Sequence, residues 1–150
     1  MTPKEKVFDS PRGWVARHVR GYVESDGTKG HRWHGVPTLL LTTRGRRSGK
    51  LRRTALIYGQ VDDRYVVVAS NGGAAKHPSW YLNLAENPEV QVQVGAERFD
   101  ARAVAASDEK ARLWRLMASI WPAYEEYQAR TARDIPVVVL EPRQGTGGKR

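Results

Sequence analysis

The clearest chemical signal in this sequence is the segment 44–53, RGRRSGKLRR, which holds six basic residues and no acid. The whole chain carries 25 Lys and Arg against 16 Asp and Glu, so two thirds of its net charge of +9 lies in this one segment. Guanidinium groups present fixed sets of donors that match the oxygens of phosphates and carboxylates. The segment therefore predicts an anion site. A solvated turn that keeps the chain soluble is the alternative that these residues leave open.

A second candidate is the glycine-bearing loop 70–78, SNGGAAKHP, which runs from the end of a predicted strand into the start of a predicted helix. Free backbone N–H groups and the positive end of a helix dipole favour an anion at such a point. Glycine lets a ligand approach the backbone closely, although the same glycines could simply turn the chain. Trp80 and Tyr81 follow at once and could either wall a flat heterocycle or pack in the core.

Aromatic side chains recur near the end of the sequence, where Trp121, Tyr124 and Tyr127 stand three residues apart. That spacing places them on part of one helical face. They could line a pocket for a flat ligand or serve as core residues, and the spacing alone does not separate these two roles.

Several classes of chemistry are excluded by missing residues or motifs. The chain has no cysteine, so disulfides, thiolate nucleophiles and Cys-ligated metals are ruled out. The four histidines show no ligand spacing, which argues against a metal site, and no GxSxG nucleophile motif occurs. Neither GxxxxGKS/T nor a GxGxxG between strand and helix is present. Neither a nucleoside triphosphate nor a Rossmann-bound nicotinamide is therefore predicted.

The positive charge also raises the question of nucleic-acid or membrane partners. The segment 44–53 contains no aromatic residue to stack on bases, so nucleic acid is not the predicted partner. No apolar run approaches the roughly 20 residues of a membrane span, and the N-terminal sequence lacks the apolar core of a secretory signal. These features predict a cytoplasmic protein.

The elements that must position these residues follow from the hydrophobic pattern. Apolar runs bounded by turn residues predict six strands, at 37–43, 51–59, 64–70, 89–94, 99–106 and 135–141. Helical spacing predicts three helices: 11–24 after a Ser10–Pro11 cap, 78–88, and one that opens at Ser107 and is kinked or broken at Pro122. Residues 25–36 are predicted as a loop and 143–150 as a flexible tail. The fold class is thus α+β, a small, mostly antiparallel barrel forming one domain over 1–150.

Three stretches of the chain resemble the deazaflavin-dependent nitroreductase family. They are LLLTTRGRRSGKLRRTALIYG, YVVVASNGGAAKHPSWYLNLAENPEVQVQVG and WPAYEEYQARTARDIPVVVLEP, in that order and at similar spacing, over about 39–142. The resemblance implies a split β-barrel that binds coenzyme F420, an 8-hydroxy-5-deazaflavin whose side chain carries a phosphate and an oligoglutamate tail. Such a side chain is the kind of anion that the segment 44–53 requires.

The resemblance also implies a role for individual residues. The phosphate and tail would be faced by Arg46, Arg47, Ser48 and Arg52, with Arg53 and Thr54 beside them. The ring would be lined by the backbone of Ala69, Ser70 and Asn71, and the pocket completed by Ser79, Trp80 and Tyr81. Tyr124 and Tyr127 match tyrosines on the substrate side of the ring, and with Trp121 they form the predicted acceptor site. Ile57 and Trp121 depart from the nitroreductase pattern, in which tyrosine would be the closer match.

The function that this resemblance implies is hydride transfer from the reduced deazaflavin to a quinone, a nitro compound or a similar electron-poor acceptor. No catalytic acid or base is assigned, and a proton could come from Tyr124, Tyr127, Ser70 or water. Two alternatives stay open: a split-barrel oxidoreductase that uses flavin mononucleotide, and a non-enzymatic barrel that carries a coenzyme or binds nucleic acid. Quinone reductases of the family can attach to membranes through their first helix, and the modest apolar stripe of 11–24 predicts at most weak contact.

Overall fold

The computed structural model describes residues 6–9 and 13–143. Within those residues the chain forms nine strands: β1 (Val7–Asp9), β2 (Arg32–Trp33), β3 (Val36–Arg44), β4 (Leu51–Ile57), β5 (Gly59–Val61), β6 (Arg64–Val68), β7 (Glu89–Val94), β8 (Glu97–Ala105) and β9 (Val137–Pro142). Four α-helices accompany them: α1 (Gly13–Glu24), α2 (Ser79–Glu86), α3 (Lys110–Ile120) and α4 (Ala123–Ala129). The prediction of an α+β fold is confirmed.

The strands form one sheet with the order β1-β4-β3-β7-β8-β9-β6-β5, and β2 pairs with β3 beside that path. All described pairings are antiparallel except that of β1 with β4. The hydrogen-bonded path does not close on itself. The chain nevertheless runs from β4 straight into β5 through Tyr58, so one bent stretch of backbone connects the two parts of the sheet. The result is the split form of a small barrel.

The six predicted strands are present, and the structure adds three short ones. β5 separates from the predicted strand 51–59 at Tyr58, and β1 lies before the first predicted element. The prediction of a loop over 25–36 is wrong for β2. There His34 and Gly35 both adopt positive φ, 50° and 82°, and this pair of conformations closes a two-residue hairpin.

Proline 122 breaks the predicted long helix, which gives four helices where three were expected. Trp121 leaves the helical region with φ −135° and ψ 89°, and α4 begins directly after Pro122. The predicted Ser10–Pro11 cap and residues 144–150 of the predicted tail lie outside the described residues. Arg143 is held, since its N–H donates to the Asp100 carbonyl over 2.9 Å.

The core lies on both faces of the sheet because successive residues of a strand point to opposite sides. Leu39 and Leu41 of β3 are buried in the cluster inside the barrel, whereas Leu40 packs under α1 with Val15 and Val19. A third cluster forms beneath α3 and α4. In the part of the chain that the structure describes, no helix combines the length and apolarity needed to cross a membrane.

Candidate functional site

A cavity of about 920 Å³ opens between the turn that joins β3 to β4, the loop before α2, and the junction of α3 with α4. Its lining includes thirteen of the fifteen predicted site residues: Arg46, Arg47, Ser48, Arg52, Arg53, Thr54, Ser70, Asn71, Ser79, Trp80, Trp121, Tyr124 and Tyr127. Ala69 and Tyr81 are the two that do not line it. Ala69 is fully buried, and the Tyr81 ring packs 4.8 Å from that of His77.

The β3–β4 turn is closed by its own backbone. The Gly45 N–H donates to the Lys50 carbonyl over 2.7 Å, and the Gly49 N–H donates to the Gly45 carbonyl over 2.9 Å. Gly49 adopts φ 72°, a conformation that favours glycine. Because these bonds satisfy the turn internally, the side chains of Arg47, Ser48 and Arg52 stay exposed to solvent.

Asn83 of α2 anchors this turn, and sequence reasoning missed it. Its Oδ1 accepts from the Arg46 backbone N–H (3.1 Å) and from Arg46 Nη1 (2.8 Å). Its Nδ2 donates to Thr43 Oγ1 over 3.2 Å, and the residue is only 4% exposed. An asparagine inside the apolar helix sequence SWYLNLAE was the available signal, because a buried amide needs tertiary partners.

The described cavity lining carries five cationic side chains and one carboxylate, that of Asp9. Arg53 is paired with Asp9, Nε to Oδ1 at 2.6 Å. Among the described residues, neither Arg47 nor Arg52 forms an ion pair with an acid. Positive charge gathered on a concave wall concentrates anions. We call the side chains of Arg46, Arg47, Arg52 and Arg53 the cationic end.

In the loop from Ser70 to His77, the three residues that follow Ser70 lie in the left-handed region: Asn71, Gly72 and Gly73, at φ 49°, 63° and 83°. A Cβ on Gly73 would lie 2.7 Å from the Tyr127 carbonyl oxygen, so this glycine permits close contact with α4. A Cβ on Gly72 would meet no atom within 4 Å. The glycines therefore turn the chain, as one of the two predicted roles requires. At Gly73 the group that approaches the backbone closely is the Tyr127 backbone of α4 and not a ligand.

Arg133 holds this loop in place and was also missed from the sequence. Its guanidinium donates to three backbone carbonyls, those of Ser70 (2.7 Å), Ala74 (2.9 Å) and Ala69 (3.3 Å). Its Nη1 also lies 3.1 Å from His77 Nδ1. Burial, and secondarily the charge of Arg133, lowers the pKa of His77, which favours the neutral ring that accepts this bond. The only sequence signal for this role was the position of Arg133 just before the predicted buried strand 135–141.

Aromatic side chains from two distant segments meet on another part of the lining. The Trp33 ring of β2 lies 5.1 Å from that of Trp121, and Tyr124 lies 6.0 Å from Tyr127. Tyr124 is only 5% exposed, and burial raises its pKa well above the usual range for tyrosine. We call Trp33, Trp121, Tyr124 and Tyr127 the aromatic end. Trp33 was not predicted to belong to the site.

Strand β4 connects the two ends. Arg52 and Arg53 stand at its start, whereas Ile57 at its last position packs against the same apolar cluster as Trp121 and Tyr127. At about 3.3 Å per residue, the arginines and Ile57 lie roughly 15 Å apart along the strand. The cavity thus offers an elongated ligand a charged region and an apolar, aromatic region.

Sequence comparison finds relatives over almost the whole chain. A family model described as F420H(2)-dependent quinone reductase matches residues 14–142. The F420H(2)-dependent quinone reductase Rv1261c of Mycobacterium tuberculosis is 41% identical over 144 residues, which are 87% of this chain and 97% of that protein. A second protein of that organism, the putative F420H(2)-dependent quinone reductase Rv3178, is 45% identical over 109 residues, covering 72% of this chain and 92% of its own.

Solved structures show the same relation. An F420-H2 dependent reductase, FDR-A, superposes with a TM-score of 0.65 at 42% identity, covering 70% of this chain and 94% of its own. A domain-swapped dimer superposes with a TM-score of 0.66 at 38% identity, covering 88% of this chain and all of its own. The heme storage protein HutZ of Vibrio cholerae, at 20% identity and a TM-score of 0.55 over 72% of this chain and 82% of its own, shares the fold alone.

Proposed function

Because this chain belongs to the F420H(2)-dependent quinone reductase family, we propose that it reduces a quinone with coenzyme F420 bound in the 920 Å³ cavity. The protein is an oxidoreductase of the F420-dependent class. The observation that carries the proposal is that one cavity joins a cationic end to an aromatic end. Few small molecules need both, and a deazaflavin with a phosphate and a glutamate tail is one of them.

The residues present fit this coenzyme. The cationic end offers Arg47 and Arg52, which have no acidic partner among the described residues, to a phosphate and carboxylates. The Ser70–Gly72 backbone lies at the cavity wall, and Arg133 fixes it through the carbonyl groups behind it. A flat ring needs such a rigid wall, because position rather than acid–base chemistry decides how well a bound redox coenzyme reacts.

The aromatic end would hold the acceptor. When bound, the reduced coenzyme supplies the hydride, and the protein supplies orientation and a dry surface. Trp33 and Trp121 provide apolar area without a fixed hydrogen-bond pattern, which suits a flat quinone. The Tyr124 hydroxyl is protonated at neutral pH, and burial raises its pKa further, so that this group can donate a hydrogen bond to an acceptor oxygen.

Quinones are favoured over nitro compounds by two residues of the lining. Ile57 and Trp121 occupy positions at which the nitroreductase pattern has tyrosine, and both line the cavity. A site without those two hydroxyl groups offers fewer donors to the oxygens of a nitro group, whereas it keeps its aromatic area.

We place the enzyme in the cytoplasm, with at most weak contact to a membrane surface. Helix α1 buries Val15, Val19 and Tyr22 against the sheet, so its apolar stripe is used within the fold. Among the α1 residues whose side chains the structure describes, Arg17 and Arg20 are exposed, and these two cations are the groups that we expect to contact anionic lipid.

A spectrophotometric assay tests the proposal directly. Reduced F420 is mixed with the protein and with a panel of benzoquinones, naphthoquinones and nitroaromatic compounds, and its oxidation is followed. We expect enzyme-dependent turnover with quinones and much slower turnover with nitro compounds. Saturation of the protein by flavin mononucleotide with no effect of F420 would instead support the flavin alternative. Faster turnover of nitro compounds would contradict the choice of acceptor.

A further inference from the structure

The cationic end contains one residue of the opposite charge. Among the residues that the structure describes, Asp9 is the only carboxylate in the cavity lining, which also holds five cationic side chains. An acid on the wall of an anion site weakens the field that attracts the ligand. Asp9 therefore does not serve to increase the affinity for an anionic ligand, and its position requires another explanation.

Asp9 reaches the cavity through the strand β1. This strand pairs in parallel with β4, with Phe8 opposite Arg52 and Asp9 opposite Arg53. Both carboxylate oxygens of Asp9 accept from Arg53, from Nε over 2.6 Å and from Nη2 over 3.3 Å. The pair is partly exposed, with 34% of the Asp9 side chain and 22% of the Arg53 side chain accessible to solvent.

The pair is a poor candidate for a purely structural link. The strand β1 is already held by its three paired positions and by Phe8, whose ring lies 5.0 Å from Lys50 Nζ and 5.7 Å from the Arg52 guanidinium. Partly exposed ion pairs contribute little to folding stability. Its position in the cavity lining also places the Asp9 carboxylate where it would repel an anionic ligand.

We infer that Asp9 is a specificity-determining residue, which limits the number of negative charges that the cationic end accepts and so favours coenzyme with a short glutamate tail. Its carboxylate occupies donors of Arg53 that a tail carboxylate would otherwise use, and it repels each further glutamate that reaches this wall. The phosphate and the first carboxylates still meet Arg47 and Arg52. This inference rests on the proposed function.

The test compares tail lengths in two variants. Tryptophan quenching gives the dissociation constant of oxidised F420 fractions with short and with long tails, at low salt, for the wild-type protein, Asp9→Asn and Asp26→Asn. Asp26 forms an ion pair of 2.8 Å with Arg98 outside the cavity lining, and its φ of 51° is one that asparagine tolerates. It is therefore a matched control for the loss of one aspartate.

We expect Asp9→Asn to tighten the long-tail coenzyme by roughly three- to tenfold, to change the short-tail coenzyme less, and to lose this gain as salt rises. Asp26→Asn should leave the length preference as it is. An unchanged preference in Asp9→Asn would overturn the inference. Weaker binding of both coenzymes would also overturn it, because Asp9 would then orient Arg53 for the ligand.

A measurement of stability separates a loss of folding from a change in ligand preference. The melting temperatures of both variants are measured, and if Asp9→Asn melts at a lower temperature than Asp26→Asn, the binding test is repeated with Asp9→Ser. The inference requires that Asp9→Ser show the same change in tail-length preference. If the wild-type protein binds neither coenzyme fraction, the proposed function itself is wrong. If it binds both and Asp9→Asn does not alter their ratio, only the role of Asp9 is wrong.

Discussion

The two ends of the cavity are built in different ways. All four arginines of the cationic end lie on one turn and the start of the strand that follows it, and two of them, Arg47 and Arg52, are exposed. The aromatic end is assembled from the β2 hairpin and the junction of α3 with α4, and its Tyr124 is also part of the core. Substitutions of Arg47 and Arg52 should therefore change ligand binding with little change in stability, whereas substitution of Tyr124 should change both.

The largest effect is expected at Tyr124. Tyr124→Ala removes an aromatic side chain that is 95% buried, which should cost about 3 to 5 kcal/mol of unfolding free energy and reduce coenzyme binding and turnover together. Thermal or urea unfolding measures this loss. Tyr124→Phe is the matched control, since it keeps the ring and removes only the hydroxyl. A stable Tyr124→Ala protein that binds coenzyme would show that this ring belongs to the acceptor site alone.

The opposite pattern is expected at the cationic end. Arg47→Ala and Arg52→Ala should each weaken coenzyme binding by about 1 to 3 kcal/mol, with a larger loss in the double variant, because charge-assisted contacts are lost. Melting temperatures should fall only slightly, since both side chains are exposed and the contact of Arg52 with the Phe8 ring is a partly exposed cation–π pair. Arg115→Ala, an exposed arginine of α3 outside the lining, is the control. If the double variant binds the coenzyme with unchanged affinity, the turn is not part of the coenzyme site and serves only to keep the chain soluble.

A smaller and more selective effect is expected at Trp33. Trp33→Ala removes one indole from a pair with ring centres 5.1 Å apart, and aromatic pairs of this kind contribute about 0.5 to 1.5 kcal/mol. The expected result is a higher KM for naphthoquinones with unchanged coenzyme affinity. Steady-state kinetics at saturating coenzyme measures it. If coenzyme affinity falls and the KM does not change, Trp33 belongs to the ring side and the division between the two ends is wrong.

The smallest effect concerns pH and His77. Its pKa in the folded state lies below the ordinary value of 6.5, so the unfolded chain binds this proton more readily. The contribution of His77 should therefore leave the unfolding free energy unchanged above about pH 6.5 and should lower it on acidification through that value toward the lower folded pKa. His77→Asn should flatten this part of the melting-temperature profile. If the melting temperature falls equally with acidification in the wild-type protein and in His77→Asn, other titrating groups cause that fall.

The cationic end was accessible to sequence analysis because its residues are contiguous and their chemistry is unambiguous. The strands and the break at Pro122 followed from local rules in the same way. Asn83, Arg133 and Trp33 could not be found like this. Each acquires its role through partners distant in sequence: Asn83 through Arg46, Arg133 through the carbonyls of residues 69–74, and Trp33 through Trp121. Asp9 reaches the cavity only because the three-residue strand β1 pairs in parallel with residues 51–53, and no local sequence pattern predicts that pairing.

The most direct test of the account compares two ligands. The dissociation constant of oxidised F420 is measured beside that of its 8-hydroxy-5-deazaflavin ring without phosphate and tail, in the wild-type protein and in the Arg47→Ala, Arg52→Ala double variant. We predict that the complete coenzyme binds the wild-type protein more tightly than the ring alone, and that the double variant loses most of this difference while it keeps its affinity for the ring. Equal affinities for both ligands in the wild-type protein would contradict the assignment of the cationic end.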